Sequence, residues 1–529
     1  MTPTRSACQF HRSGCTISLS LADNKNTGGT NMDRRRFLQS SLAASVAAAL
    51  PASQAFAALQ ALTQVTGDIR AVTNDRAEIS IEKAAVQELA DSLRGNLLLP
   101  GNDGYDVARR VLNPSIDKYP ALIVQPTGVA DIQQAVNFAR DRQLLVAVKC
   151  GGHSYAGKST CDGGLQLDLS TFRHCRVDRG SRRAYVAGGS LLGELDREAM
   201  AQGLVTTAGT VSHTGVGGLT TAGGFGRLGR RFGLALDNVK AVDVVTADGR
   251  LLHASAEENA DLYWGVRGGG GNFGVVTSFE FGLHPMERTV VSGTVLFPDQ
   301  DVHEVFKVYR DHGVTAPDML YCDVMITSPM DGTARMAGYE LCWSGPESEA
   351  ESVLKPFLSI GEPVMNTVKA IDYVETQRTW DNTDPRNHAE YLKGGFINEF
   401  PDELIEAMLD GFEARDRRSL TVYLQQSGGA IGRVPVEATA FAHRKSIANM
   451  FAIVGWPNED PAEQHVDYMR EYWASLFPFT DGYYTVDTAN ESKEIRHGNY
   501  QGNFPRLLEV KNKYDPTNLF RLNANIAPA

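Results

Sequence analysis

The chain carries seven cysteines but no Cys-x-x-Cys pair and no spacing suited to zinc, so neither a disulfide framework nor a zinc module is indicated. Its body contains no Lys/Arg-rich block, and the net charge is -12, which argues against a nucleic-acid partner. No apolar run is long enough to span a bilayer, so no stable membrane span is expected after processing. There is no internal repeat and no low-complexity segment. What the chain has in excess is glycine, 51 residues of 529, gathered in a few loops. Glycine lacks the Cβ that would keep a ligand away from the backbone, so such loops point to a closely held ligand.

The N-terminus reads as an address. Arg34-Arg35-Arg36-Phe37-Leu38-Gln39 is followed by an Ala-rich apolar stretch from Ser41 to Leu50, then by Ala55-Phe56-Ala57. Basic, apolar and small-x-small segments in that order form an export signal. The arginines followed by Phe-Leu resemble a twin-arginine (Tat) signal, which carries folded proteins, so a periplasmic location is expected. Met32 lies just before the signal, so the start is read as either Met1 or Met32. Cleavage after Ala57 would leave five cysteines, at least one of them unpaired.

Beyond the signal, residues 58–114 read as a partly helical lead-in. Residues 115–285 alternate short strands and helices with Gly-rich turns. Residues 286–480 read as strands with helices on one face, the pattern of an antiparallel sheet in a substrate domain. Residues 481–529 turn polar and loop-rich.

Three loops carry the chemistry. The first is Cys150-Gly151-Gly152-His153-Ser154-Tyr155, after an apolar strand, where consecutive glycines expose N–H groups that can cradle a phosphate. Gly152 to Ser159 also fits G-x-x-x-x-G-K-S. A P-loop must open a helix, however, and here Cys161-Asp162-Gly163-Gly164 follows at once, which disfavours an NTPase. The second loop runs from Ala208 to Gly226 and includes Thr214-Gly215-Val216-Gly217-Gly218. It reads as a long backbone cradle. The third runs from Asp261 through Tyr263-Trp264 to Gly274 and contains a G-x-G-x-x-G match at Gly269–Gly274. The alternating Val275–Phe281 that follows predicts a strand, the wrong context for a Rossmann site.

Taken together, the Gly-Gly-His-Ser loop, the Thr-Gly-Val-Gly-Gly loop and Asp-Leu-Tyr-Trp with its glycine run resemble the vanillyl-alcohol-oxidase (PCMH-type) FAD-binding domain. Tyr514-Asp515-Pro516-Thr517-Asn518-Leu519-Phe520 narrows the resemblance to the berberine-bridge-enzyme-like group, which includes 6-hydroxy-D-nicotine oxidase-like enzymes. It covers residues 110–285 and 480–529. The fold it implies is α+β: a PCMH-type FAD-binding domain of two α/β subdomains, plus a substrate domain with an antiparallel sheet covered by helices.

The resemblance implies FAD bonded to His153. A second, cysteinyl bond occurs in many members, but Val211 stands where that cysteine would lie, so a single bond is expected. Gly151, Gly152, Ser154, Gly215, Gly217, Gly218 and Gly226 are expected to hold the pyrophosphate and ribityl chain. Val276 is expected on the adenine side, and Asn503 on the segment returning to the isoalloxazine. Tyr484 and Asp487 are the candidate catalytic residues, and Tyr423, Gln425 and Gln426 candidate pocket residues on one strand. The expected activity is oxidation of an alcohol, sugar or amine by hydride transfer to flavin N5, with O2 or another acceptor reoxidising the flavin. A flavin-retaining binding protein without turnover is the alternative reading.

Overall fold

Apolar runs and alternating segments become the strands of three large sheets and two two-stranded ones, and the helices between them cover the large sheets. The computed structural model describes residues 65–382, 388–486 and 492–529. These belong to one unit, Thr63–Ala529. The segment read as an export signal lies outside the described residues. Among the described residues, no helix is long and apolar enough to cross a membrane.

The first layer opens with the antiparallel hairpin β1 (Ile69–Val72) and β2 (Glu78–Ile81), then helix α1 (Lys83–Ser92). Strands β3 (Asn96–Leu98), β4 (Leu122–Gln125), β5 (Val146–Lys149) and β6 (Leu165–Asp168) form a sheet in the order β3-β4-β6-β5. β6 pairs in parallel with β4 and β5, so crossovers are required, and helix α2 (Val129–Asp141) supplies one. The segment expected as a partly helical lead-in holds α1 and also contributes β1, β2 and β3. Its Val65, Ile81, Val86 and Leu97 share a core with Leu122, Ile132 and Leu167. Strands of three or four residues are too short to show a period that separates them from helix.

The second layer is antiparallel throughout. It comprises β7 (Cys175–Asp178), β8 (Arg183–Ala187), β10 (Val239–Thr246), β11 (Leu251–Ser255) and β12 (Gly274–Gly282), in the order β11-β10-β12-β8-β7. A small pair, β9 (Leu204–Val205) with β13 (His284–Pro285), closes it. Helices α3 (Leu192–Met200) and α5 (Ala260–Val266) bury Leu192, Leu195, Leu262 and Trp264 against Phe279 and Phe281. Two segments expected as loops therefore contain helix: α4 (Val216–Ala222) in the Thr/Gly loop, and α5 in the third.

The third layer is an eight-stranded antiparallel sheet of β14 (Thr289–Pro298), β15 (Leu320–Ser328), β16 (Met336–Trp343), β17 (Met365–Asn366), β18 (Lys369–Asp372), β19 (His388–Ile397), β20 (Ser419–Gln426) and β21 (Ala448–Pro457). The order is β17-β14-β16-β15-β20-β21-β19, with β18 also on β14. Helices α6 (Val302–Val308), α7 (Glu347–Leu358), α8 (Asp402–Asp410) and α9 (Glu463–Leu476) bury Phe306, Leu354, Met408 and Trp473 in one core with the strands. On β20, Leu420, Val422 and Leu424 join that core. The period of two turns Tyr423 and Gln425 to the opposite face. The C-terminal stretch, expected as loop, forms helix α10 (Phe504–Tyr514) against α5. Tyr514 donates to Asp261 at 2.8 Å.

Candidate flavin site

The first two glycine loops meet at their backbones. A Cβ on Gly151 would lie 2.4 Å from Gly215 N, and one on Gly215 would lie 2.5 Å from Cys150 Sγ. Only hydrogen fits at either position, which is the physical reason for the repeated glycine. Behind this contact, Leu192 N–H donates to Thr214 O at 2.9 Å and Val216 N–H donates to Ser190 O at 2.9 Å. These two bonds fix the turn that starts α4.

Together with the third loop and the C-terminal tail, these loops enclose a cavity of about 390 Å³. Gly151, Gly152, His153 and Ser154 line it from the first loop, and Gly215, Gly217 and Gly218 from the second. Val276 lines it from β12, and Tyr484 from the segment after α9. Gly218 and Gly270 have nothing within 4 Å of where a Cβ would stand, so both present bare backbone to open space. The side-chain oxygen of Asn523, a lining residue, is buried without a partner among the described residues. Bare amides, open glycines and an unpaired acceptor on one wall fit a long polar ligand such as a dinucleotide.

Other expected residues fall elsewhere. A Cβ on Gly226 would lie 1.6 Å from Ala208 O, so this glycine serves the close approach of two protein backbones and does not line the cavity. Asn503 donates to Val436 O at 3.0 Å and Thr439 O at 3.1 Å, tying the tail to a loop of the third layer. The returning segment presents Tyr500 to the cavity instead, along with Phe520 and Leu522 to Ala524. Asp487 lies outside the described residues. On β20, Gln425 lines the cavity, whereas Gln426 is buried and donates to Gly313 O at 2.6 Å.

The look-alike motifs resolve as context required. No helix follows Gly157-Lys158-Ser159, and Lys158 Nζ donates to Thr485 O at 2.9 Å. After Gly274 the chain runs directly into β12. Val211, expected where a second anchor would stand, lines the cavity and offers no thiol. Cys150 also lines it, but burial pushes its thiol up to about 11, so the thiolate is scarce at neutral pH. All five described cysteines are free.

Beneath the second loop lies a buried polar network that motif reading did not reveal. Arg227 pairs with Glu340 at side-chain exposures of 1% and 4%. It also donates to Thr210 O at 3.1 Å and Gln377 Oε1 at 2.7 Å. Tyr423 donates to Glu340 at 2.5 Å, and its ring stacks on Phe451, a cavity residue, with centroids 5.3 Å apart. Burial and the nearby Asp323 and Glu340 charges push the Tyr423 phenol well up. Asp196 is buried beside Gln377, and burial raises its carboxyl to about 7. A larger hollow of about 590 Å³, lined by Lys393, Arg470 and Trp473, borders none of the three glycine loops.

Comparisons with known proteins agree with this geometry. Residues 120–255 match the FAD binding domain family, and residues 489–527 match the berberine and berberine-like family. An FAD-linked oxidoreductase of Dictyostelium discoideum is 34% identical over 84% of this chain and 97% of its own length. A xylooligosaccharide oxidase of Thermothelomyces thermophilus is 27% identical over 88% of this chain and 99% of its own. The solved 6-hydroxy-D-nicotine oxidase of Arthrobacter nicotinovorans superposes with a TM-score of 0.75 at 27% identity, covering 83% of this chain and 99% of that one. This chain belongs to the berberine-bridge-enzyme-like FAD-linked oxidoreductases.

Proposed function

We propose that this FAD-dependent oxidoreductase carries its flavin on a single bond to His153 and oxidises a carbon bearing a hydroxyl or amine. The substrate would lie between the flavin and the open face of the large sheet. The observation that carries the reading is the place of His153, on the cavity wall at the junction of the two glycine loops. Relatives named for a xylooligosaccharide and for 6-hydroxynicotine support the substrate class.

When bound, FAD supplies a two-electron acceptor at N5. The chain supplies the rest. Glycines 151, 152, 215, 217 and 218 turn backbone toward the cofactor, and Ser154 adds a hydroxyl on the same wall. Phe225 and Phe451 keep water from the reacting carbon, and the Gln425 amide orients the substrate. Gly224 N–H donates to the Tyr484 oxygen at 2.8 Å. A hydrogen bond to an oxygen that is to become charged stabilises its ionised form. That supports Tyr484 as the group that takes the substrate proton, with Asp487 as the second candidate from its sequence position.

Denatured protein on a gel should fluoresce as flavin, and a panel of sugars, alcohols and amines should bleach the flavin anaerobically. A dark gel sinks the covalent bond. A flavin unmoved by every substrate favours a carrier without turnover. Peroxide release on readmitting air distinguishes O2 from another acceptor.

The segment from Arg34 to Ala57 supports export of the folded chain to the periplasm by the twin-arginine route. A periplasmic chain beginning at Ala58 is expected; a cytoplasmic chain beginning at Met1 or Met32 refutes it. The division at residue 285 between flavin and substrate halves is proposed with it, supported by the change of sheet between β12 and β14.

A further inference from the structure

A second histidine stands against the proposed anchor. Nε2 of His153 lies 2.6 Å from Nδ1 of His213, with ring centroids 4.7 Å apart and planes inclined by 37°. The other ring nitrogen, Nδ1 of His153, lies 3.3 Å from Thr214 Oγ1. Two imidazole nitrogens at hydrogen-bond distance share one proton, one donating and one accepting. The two contacts of His153 differ in strength. The first is short, and the second is longer than a hydroxyl bond usually is, so it yields more readily to an incoming atom.

The placement of His213 is well fixed. Ser212, the residue before it, donates from its backbone N–H and its hydroxyl to the Asp381 carboxylate at 3.0 and 2.7 Å. Ser212 O accepts from Gly193 N–H at 2.8 Å. Thr214, the residue after it, is held through its carbonyl by Leu192 N–H and through its own N–H by Val211 O. The turn that carries His213 is therefore anchored on both sides, and an anchored partner holds a ring in one orientation and one tautomer.

We propose that His213 is the positioning residue for flavin attachment: it holds the Nε2 proton of His153 and accepts it as Nδ1 forms the bond. The proposal rests on His153 being the anchor. In the step, His153 Nδ1 bonds to the carbon of the flavin 8-methyl group. That carbon releases one proton, and the electron pair of its C–H bond passes into the ring system, which is reduced by two electrons. The Nε2 proton moves to His213 Nδ1. O2, or the acceptor of the catalytic cycle, then reoxidises the flavin.

The test uses holoprotein of the wild type, His213→Asn, His213→Leu and His153→Ala. Native absorbance gives total FAD per chain, and the flavin remaining with acid-precipitated protein gives the bonded share. Asn places an amide oxygen where the imidazole Nδ1 stood; Leu fills the space without an acceptor. The expected result is bonded flavin in the wild type and slower bonding in His213→Asn, whose amide oxygen accepts the Nε2 hydrogen bond but cannot take the proton. In His213→Leu, FAD is bound but becomes bonded about a hundredfold more slowly, at the lower end of general-base assistance. Wild-type attachment in His213→Leu overturns the proposal and leaves the anchor intact. Bonded flavin in His153→Ala instead overturns the anchor. Should the Leu variant fail to fold, NMR of the wild-type flavin peptide still decides: a bond at Nδ1 supports the proposal, and a bond at Nε2 refutes it.

Discussion

Asp196 offers a direct measure of what the buried network under the flavin loop costs. It is 3% exposed, and its carboxylate accepts from Gln377 Nε2 at 3.0 Å. The same amide donates to Gly209 O at 2.8 Å, on the loop that forms the cradle. Burial raises its carboxyl from 3.8 to about 7, against the opposing pull of Gln377 and Arg227. The folded value lies above the unfolded one. Between about pH 4 and 7 the native state therefore keeps a proton that the unfolded chain has lost. The contribution is fully present below the unfolded value and is lost as pH rises through the folded one. Each pH unit in that window costs about 1.4 kcal/mol, so the whole window costs about 4 kcal/mol. Asp196→Asn keeps an oxygen for Gln377 and cannot titrate. Urea unfolding of both proteins at pH 5 and pH 8 is the assay. The variant should gain about 3 kcal/mol over the wild type between the two conditions. A difference that stays constant across that range would show that Asp196 is ionised throughout, and the account of the network would be wrong.

Other perturbations test other parts of the site. Glu340→Gln leaves the Arg227 guanidinium buried without its counter-charge and should lower stability by about 3 kcal/mol, read from the same unfolding curves; an unchanged midpoint would place the pair in water. Gly215→Val puts side-chain carbon 2.4 Å from Gly151 N. FAD per chain, from flavin and protein absorbance, should fall about tenfold for each 1.4 kcal/mol of overpacking, and full FAD content would mean that the two loops can separate freely. Lys511→Met removes a cation that is fully buried and bonded to Asp515 at 2.6 Å. It should cost about 3–5 kcal/mol, and retained stability would show that Asp515 is held well enough by the backbone of Leu519 and Phe520 alone.

The parts of this site that were legible in the sequence are those where chemistry is local. Gly151 and Gly215 tolerate no side chain, and a glycine in each of two otherwise varied loops is a visible sign of close approach. The P-loop and Rossmann patterns could be set aside because each demands a helix at a fixed place, and the residues that follow do not form one. Tyr423, Gln425 and Gln426 read together as candidates on one strand; the period of two sends Gln425 to the cavity side and Gln426 to the opposite side of the sheet.

What stayed hidden depends on partners distant in the chain. Val216–Ala222 is helical although it begins Val-Gly-Gly, a weak helix former by propensity. Bonds from Ser190 and Leu192 set its first turn, and nothing in the loop names them. Arg227 and Glu340 are 113 residues apart, and His153 and His213 are 60 apart. Arg227, Glu340 and His213 each read alone as an ordinary surface or packing residue. Asn503 illustrates the reverse case. It is a polar residue in a segment that does return to the flavin cavity, yet its amide is consumed by carbonyls of another layer, while Tyr500 one helical turn earlier reaches the wall. A family segment can thus arrive at the cofactor while the residue that lines the site within it is decided by which side of a short helix faces inward. That choice belongs to packing, and only the assembled layers settle it.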